Sequence, residues 1–173
     1  ALELGYKVKG SLRTMSREND VRDALKSYVK KKDDLSFCKL DLLEDVGWDN
    51  AMQDCSYVLH VASPFVIREP KNEEELIKPA KEGTLRCLEA AKKAKIKRVV
   101  VTSSIAAMMG HMKSGAFNET SWTDLNSKQP TAYQRSKTIA EKAAWDFYHQ
   151  QKEDEKLELA VVNPGAVFGP NLG

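Results

Sequence analysis

The segment Arg98-Val99-Val100-Val101-Thr102-Ser103-Ser104 joins an apolar run to hydroxyl side chains at its end. Its valines are consecutive rather than alternating with polar residues, as in strands that are covered on both faces of a sheet. Such strands occur in parallel sheets that are flanked by helices. The segment therefore predicts a buried parallel strand with Ser103 and Ser104 at its carboxyl end.

Further strand candidates alternate with helical patterns along the chain. Strands are predicted at residues 6–12, 35–40, 57–61, 98–103 and 157–163, and helices at residues 20–31, 47–53, 72–93 and 132–150. This alternation predicts an α/β fold in one domain, a doubly wound parallel sheet. Ligands of such sheets bind at the carboxyl ends of the strands, so the residues that follow each strand are the candidates for chemistry.

Charge and cysteine content limit the classes of partner and compartment. The chain has 27 basic and 25 acidic residues spread along its length, which gives no support to a nucleic-acid or acidic-membrane partner. Its three cysteines lack CxxC spacing, which favours a reduced setting over a disulfide framework or a zinc site. No apolar run approaches the roughly 20 residues of a membrane span. We therefore expect a cytoplasmic protein without a metal site.

Tyr133 and Lys137 are spaced so that one helix face carries both side chains. An ammonium beside a phenol stabilises the phenolate, so this pair can exchange a proton with a carbonyl or alcohol oxygen. A serine hydroxyl at the end of the 98–103 strand can hold that same oxygen. The spacing alone is common by chance, so the neighbouring motifs have to support a hydride-transfer site.

Residues after the first two strands fit a dinucleotide. Arg13 follows the first strand, where a guanidinium favours the 2′-phosphate of NADP; the alternative is a surface arginine. Asp41, followed by Leu42, could contact the adenine edge or simply cap the next segment.

The third and fifth strands end in loops that a cofactor could approach closely. Val61-Ala62-Ser63 has small side chains, and His60 before it is interpreted as a packing residue rather than a base or ligand. Pro164-Gly165-Ala166-Val167 could lie along a nicotinamide or form an ordinary turn. Met108, Met109 and Met112 could line an adaptable apolar pocket or pack within their loop.

Taken in order, these motifs resemble the extended short-chain dehydrogenase/reductase family. Within that family the chain is most similar to the dihydroflavonol reductase-like group, which includes cinnamoyl-CoA, anthocyanidin, aldehyde and methylglyoxal reductases. The likeness covers nearly the whole chain and rests on residues 8–13, 40–42, 58–64, 78–84, 98–104, 132–145 and 163–170.

The resemblance implies an NAD(P)-binding Rossmann fold that reduces an aldehyde or ketone to an alcohol with NADPH. It implies that Tyr133 donates the proton, assisted by Lys137 and Ser104, with Ser103 the second choice of serine. The cofactor residues that it implies are Arg13, Asp41, Leu42, Val61, Ala62, Ser63, Tyr133, Lys137, Pro164, Gly165, Ala166 and Val167.

The resemblance also sets the partners and the alternatives. The expected partner is a small-molecule carbonyl substrate, and the expected assembly is a monomer or homodimer. A nucleotide-sugar epimerase or dehydratase, a hydroxysteroid dehydrogenase and a non-catalytic dinucleotide-binding fragment remain as alternatives. Arg13 favours NADP over the NAD that is usual in sugar chemistry.

Two parts of the family pattern are not found. The family's glycine-rich phosphate loop and the strand that precedes this loop in the family are missing. Residues 1–5 have the pattern of a helix end with a glycine stop. We therefore expect residues 1–173 to be a partial Rossmann domain, with most of the substrate-binding region absent. The missing strand is central in the order 3-2-1-4-5-6, so its absence would leave two interior edges unpaired and apolar faces uncovered.

Overall fold

The computed structural model describes residues 1–169, apart from residues 28, 30, 67 and 111–113. The strands in this part are β1 (Val8–Leu12), β2 (Leu35–Lys39), β3 (Tyr57–His60), β4 (Arg98–Thr102) and β5 (Glu158–Val162). The helices are α1 (Glu18–Leu25), α2 (Trp48–Met52), α3 (Glu74–Lys93), α4 (Ala106–Met109) and α5 (Ala132–His149). The predicted α/β alternation is confirmed, and only the short α4 has no counterpart in the sequence prediction.

Two features of the described residues bear on expectations about the chain ends and the membrane. A 3₁₀ turn at Leu2–Leu4 ends at Gly5, whose φ of 82° is left-handed, as a glycine stop requires. Within the described ranges, no helix combines the length and the apolar character that crossing a bilayer would need.

All strand pairs are parallel, as predicted. β4 lies between β3 and β5, with Val101 opposite both His60 and Val161. Parallel pairing places the carboxyl ends of these three strands at one edge, so the loops that follow them meet there. This edge carries most of the residues predicted for the site.

The main core lies on one face of the three-stranded sheet. Its most buried members are Cys87, Leu88 and Ala91 of α3, Ala144 of α5 and Val99 of β4. These side chains interdigitate because α3 and α5 pack against each other and on the same strands.

The opposite face of β3 is open. Tyr57, Leu59 and Val61 alternate along the strand, so they share one face, and Leu59 is 66% exposed. The expectation of uncovered apolar faces is confirmed at β3, because α3 and α5 both pack on the other side of the sheet. The sequence predicts coverage on both faces for β4, whose Val100 lies opposite Leu59 and is half-buried.

The strands form two separate sheets. β1 pairs with β2 only, and β3 pairs with β4 only, so one edge of β1 and one edge of β3 have no strand partner among the described residues. A side chain links the two parts, since the Lys9 ammonium donates to the carbonyl of Gln53 at 2.7 Å. This division is the one expected when the central strand of the order is lacking.

We expect the 173 residues alone to unfold in a broad transition, because unpaired strand edges leave backbone groups without cooperative partners. Thermal circular dichroism measures this, and amide exchange supplies an internal comparison. Amides of β4, which is paired on both sides, should exchange more slowly than those of β1 and β3. A sharp melt with equal protection of all three strands would contradict the expectation.

Candidate active site

A capping box starts α5 and sets the positions of Tyr133 and Lys137. The Thr131 hydroxyl accepts from the Gln134 backbone N–H at 3.2 Å, and the Gln134 side chain accepts from the Thr131 N–H at 2.8 Å. The Ala132 N–H donates to a carboxylate oxygen of Glu69 at 2.6 Å. Tyr133 therefore lies in the first helical turn and Lys137 in the second.

Lys137 is buried against the end of β4. The residue is 7% exposed, and its ammonium donates to the Thr102 carbonyl at 3.2 Å. The same ammonium lies 5.9 Å from the centroid of the Tyr133 ring. Desolvation lowers the pKa of Lys137, while the nearby Glu141 carboxylate acts in the opposite direction. The structure thus brings together the two residues that the sequence pairs.

Phe65 contacts Tyr133 and was not identified from the sequence. The two rings meet edge to face, with centroids 5.3 Å apart and an interplanar angle of 88°. Phe65 is 67% exposed, so most of its side chain is open to solvent. Its position two residues after Ser63 is the one signal that could have found it, because the loop after β3 was already a candidate.

The two serines after β4 differ in what their hydroxyls do. The Ser104 Oγ accepts from the N–H of Ala106, the first residue of α4, at 3.2 Å. The Ser103 Oγ is buried and has no hydrogen-bond partner in the described part of the chain. Ser103 lines a small cavity together with Ala62, Ser63 and Lys137. Ser104 as the substrate-orienting serine, with Ser103 second, stays a prediction.

Backbone hydrogen bonds tie the loop after β5 to the serine turn. The Ser103 N–H donates to the Val162 carbonyl at 2.8 Å, and the Ile105 N–H donates to the Pro164 carbonyl at 3.1 Å. A Cβ added at Gly165 would meet only the Ile105 side chain, at 3.7 Å. The next residues, Ala166 and Val167, are exposed. The loop from Pro164 to Val167 therefore starts beside Ser104 and leaves its backbone accessible.

The loop after β3 also offers accessible backbone. Among the described residues, the N–H groups of Val61, Ala62 and Ser63 donate to no backbone carbonyl. Arg13 is exposed at the end of β1 and forms no side-chain hydrogen bond or ion pair within the described ranges. Unused donors at two strand ends fit an anionic dinucleotide. No described contact joins Arg13 to Tyr133.

The two residues after β2 take part in local structure. The Asp41 carboxylate accepts from the Leu43 N–H at 3.0 Å, which is the capping alternative considered above. Leu42 packs against α3, where a Cβ on Gly83 would stand 2.6 Å from a Leu42 methyl carbon. The Leu42 side chain is committed to packing, so a cofactor could meet its backbone only. Adenine contact by Asp41 and Leu42 stays a prediction.

His60 is a buried packing residue, in agreement with the interpretation above. Its Nε2 lies 3.2 Å from the Thr84 hydroxyl, whose proton is donated to the Ala80 carbonyl at 2.8 Å. Nε2 must then carry the hydrogen and donate to Thr84. Burial, with a smaller effect of the Lys137 charge, lowers the pKa of His60 to about 4. His60 is therefore neutral at physiological pH.

A cavity of about 460 Å³ lies between α4, α5 and β5. Met108 and Met109 line it, as the pocket alternative predicted, while Met112 lies outside the described residues. Phe117 and Trp145 add aromatic walls, and its polar side includes Glu141 and Asn163.

Comparison with known proteins places these residues in a family context. A family model described as "NAD dependent epimerase/dehydratase family" matches residues 2–173. The chain is 36% identical over 185 residues to the NADPH-dependent methylglyoxal reductase of Saccharomyces cerevisiae, covering 99% of this chain and 54% of the relative. It is 38% identical over 178 residues to a cinnamoyl-CoA reductase of Medicago truncatula, covering 99% and 53%.

Solved structures give the same result. The crystal structure of yeast methylglyoxal/isovaleraldehyde reductase complexed with NADPH superposes with a TM-score of 0.83 at 34% identity, covering 98% of this chain and 53% of that one. The resemblance and the Rossmann fold predicted from the sequence are thereby confirmed. The chain spans about half the length of the curated relatives that it matches.

Buried His60 should make stability fall on acidification. Its pKa is about 4 in the folded state and near 6.5 when unfolded, so the unfolded state binds more protons between these values. The free energy of unfolding should fall by about 3 kcal/mol from pH 7 to pH 4 through this residue. In the protein that carries this chain, His60→Gln should flatten urea-unfolding profiles over that window. Exposed His149→Gln is the matched control, and an unchanged profile in His60→Gln would rule out this origin.

Proposed function

Because the chain belongs to the NAD dependent epimerase/dehydratase family, we propose that the protein carrying it reduces an aldehyde or ketone to an alcohol with NADPH. The observation that carries the proposal is the buried Lys137 ammonium, 5.9 Å from the Tyr133 ring and bonded to the carbonyl that precedes the serine pair. The relatives support the choice of cofactor, since the yeast methylglyoxal reductase is NADPH-dependent by name and is complexed with NADPH in its crystal structure.

Three kinds of side chain at the carboxyl edge have a part in the proposed reaction: the phenol, the ammonium and a serine hydroxyl. NADPH, when bound, supplies the hydride. The Tyr133 phenol gives a proton to the substrate oxygen, and the Lys137 ammonium stabilises the phenolate that remains. The Ser104 hydroxyl holds the same oxygen in place, with Ser103 as the second choice. Catalysis of this kind depends on position and electrostatics more than on unusual chemistry.

The cofactor would lie along the same edge of the fold. Arg13 would bind the 2′-phosphate, and the unused N–H groups of Val61, Ala62 and Ser63 would face the cofactor backbone. The accessible loop from Pro164 to Val167 would border the nicotinamide, next to Ser104. Asp41 and the Leu42 backbone would meet the adenine side.

The substrate is defined here by its reacting group. The names of the relatives range from methylglyoxal to cinnamoyl-CoA reductases, so the shared chemistry is reduction of a carbonyl. The exposed Phe65 side chain, which contacts Tyr133 edge to face, would give that carbonyl compound an apolar neighbour.

Location and assembly complete the proposal. We propose that the protein works in the cytoplasm, where Cys38, Cys55 and Cys87 stay reduced. It would act as a monomer or a homodimer.

Tyr133→Phe should remove most carbonyl reduction, by about 10²- to 10⁴-fold, because the proton donor is lost. NADPH binding should remain, since the ring and its Phe65 contact are kept. Turnover is followed with deuterium-labelled NADPH over a carbonyl panel, and the label should appear in a free alcohol, which a sugar epimerase would not release. Tyr148→Phe on the same helix is the control. Turnover retained in Tyr133→Phe would sink the assignment.

Arg13→Gln should weaken NADPH binding by about 10- to 100-fold and leave NADH binding nearly unchanged, because a charge-assisted phosphate contact is lost. Fluorescence titration with each cofactor measures the ratio. Lys7→Gln, exposed just before the other end of β1, removes an equal charge as the control. An equal loss for both cofactors would assign Arg13 another role.

A further inference from the structure

Glu141 is a buried carboxylate in the candidate site to which the proposed reaction gives no role. It lies four residues after Lys137 on α5, so the two side chains share a helix face. The residue is only 6% exposed. Burying a carboxylate costs free energy unless hydrogen bonds or an opposite charge compensate, which makes its partners informative.

Asn163 is the hydrogen-bond partner of Glu141. Its Nδ2 donates to Glu141 Oε2 at 2.7 Å and to the Ser104 carbonyl at 3.1 Å. Both hydrogens of this amide are therefore used. Asn163 directly follows β5 and Ser104 follows β4, so a single side chain ties both strand ends to α5.

Backbone hydrogen bonds of both sequence neighbours of Ser104 hold it against the loop after β5. The neighbouring N–H groups of Ser103 and Ile105 bond to carbonyls that flank Asn163, at 2.8 and 3.1 Å. The serine turn and the loop after β5 thus form one unit, and Glu141 is the point at which α5 joins that unit. A change in this contact would move Ser104 relative to Tyr133.

The charges around Lys137 give Glu141 a second effect. Of the titratable groups that face Lys137, His60 comes from β3, and Tyr133 and Glu141 come from α5. His60 is neutral above a pKa of about 4 and offers no compensating charge. Desolvation lowers the pKa of Lys137, and Glu141 is the group that raises it.

We propose that Glu141, held by Asn163, is a positioning residue that keeps the Lys137 ammonium charged beside Tyr133 and fixes α5 against the Ser104 turn. The effect of Glu141 on the Lys137 charge depends only on how the two residues are placed along α5. The effect of Glu141 on turnover rests on the proposed function, because the Lys137 charge serves catalysis only in that reaction.

The test is Glu141→Gln, which keeps the shape and an oxygen that can accept from Asn163 but removes the charge. Lys137 is titrated by NMR of ¹³C-labelled lysine in the protein that carries this chain, with its signal assigned from Lys137→Arg. Its midpoint should move to lower pH by about one unit, and the alkaline limb of kcat/KM should move with it. Exposed Asp146→Asn on the same helix carries the same charge change and should shift neither. An unmoved Lys137 midpoint in Glu141→Gln would overturn the proposal.

Asn163→Ala tests whether α5 is fixed against the Ser104 turn, and it is the variant to use if Glu141→Gln does not fold. This variant keeps Glu141 and Lys137 but removes the hydrogen bonds of Asn163 to Glu141 and to the Ser104 carbonyl. We expect kcat to fall about tenfold, the size of effect expected from losing the hydrogen bond to the charged Glu141, with the KM for NADPH unchanged. A wild-type kcat in Asn163→Ala would overturn the claim that this contact positions α5 against the Ser104 turn. A shifted Lys137 midpoint in a protein without any carbonyl turnover would support the electrostatic role and refute the proposed reductase function.

Discussion

The site depends on the parallel pairing of β4 with β3 on one side and β5 on the other. Backbone N–H and C=O groups of buried strands must be paired, and the parallel ladder that pairs them fixes the register. That register ends three strands at one edge. The loops that carry Ala62, Ser104 and Pro164 consequently meet, although more than a hundred residues separate the first from the last in the chain.

Packing of α5 against this edge sets the electrostatics of the site. The helix buries Lys137 beside the Thr102 carbonyl, where an aliphatic side chain would be easier to accommodate. The Glu141 carboxylate, which accepts a hydrogen bond from Asn163, acts on the Lys137 charge from one turn further along the helix. A buried ammonium near a buried carboxylate is costly for stability, and groups of this kind concentrate at functional sites.

The two sheets contribute differently to the proposed function. The three-stranded sheet and the helices packed on it carry the core and the candidate catalytic residues, while the β1–β2 pair carries Arg13 at its end. A dinucleotide bound by both would span the space between β1 and β3, the two edges that lack a strand partner among the described residues. Cofactor binding and the relative placement of the sheets are therefore linked in this proposal.

The sequence by itself determined the α/β class, the parallel strands, the described helices except α4, and the Tyr133–Lys137 pair. These features arise from local patterns: consecutive apolar residues, helical spacing and the residue types at strand ends. The tertiary structure alone decided which side chains meet across the chain. Phe65 reaches Tyr133, Leu42 fills the space at Gly83, and Asn163 joins Glu141 to Ser104. The sequence predicted uncovered apolar faces, but the tertiary structure decided that β3 carries one, because that depends on where α3 and α5 pack. Contacts between distant residues follow from the register of the sheet and the packing of helices, and no local pattern encodes them.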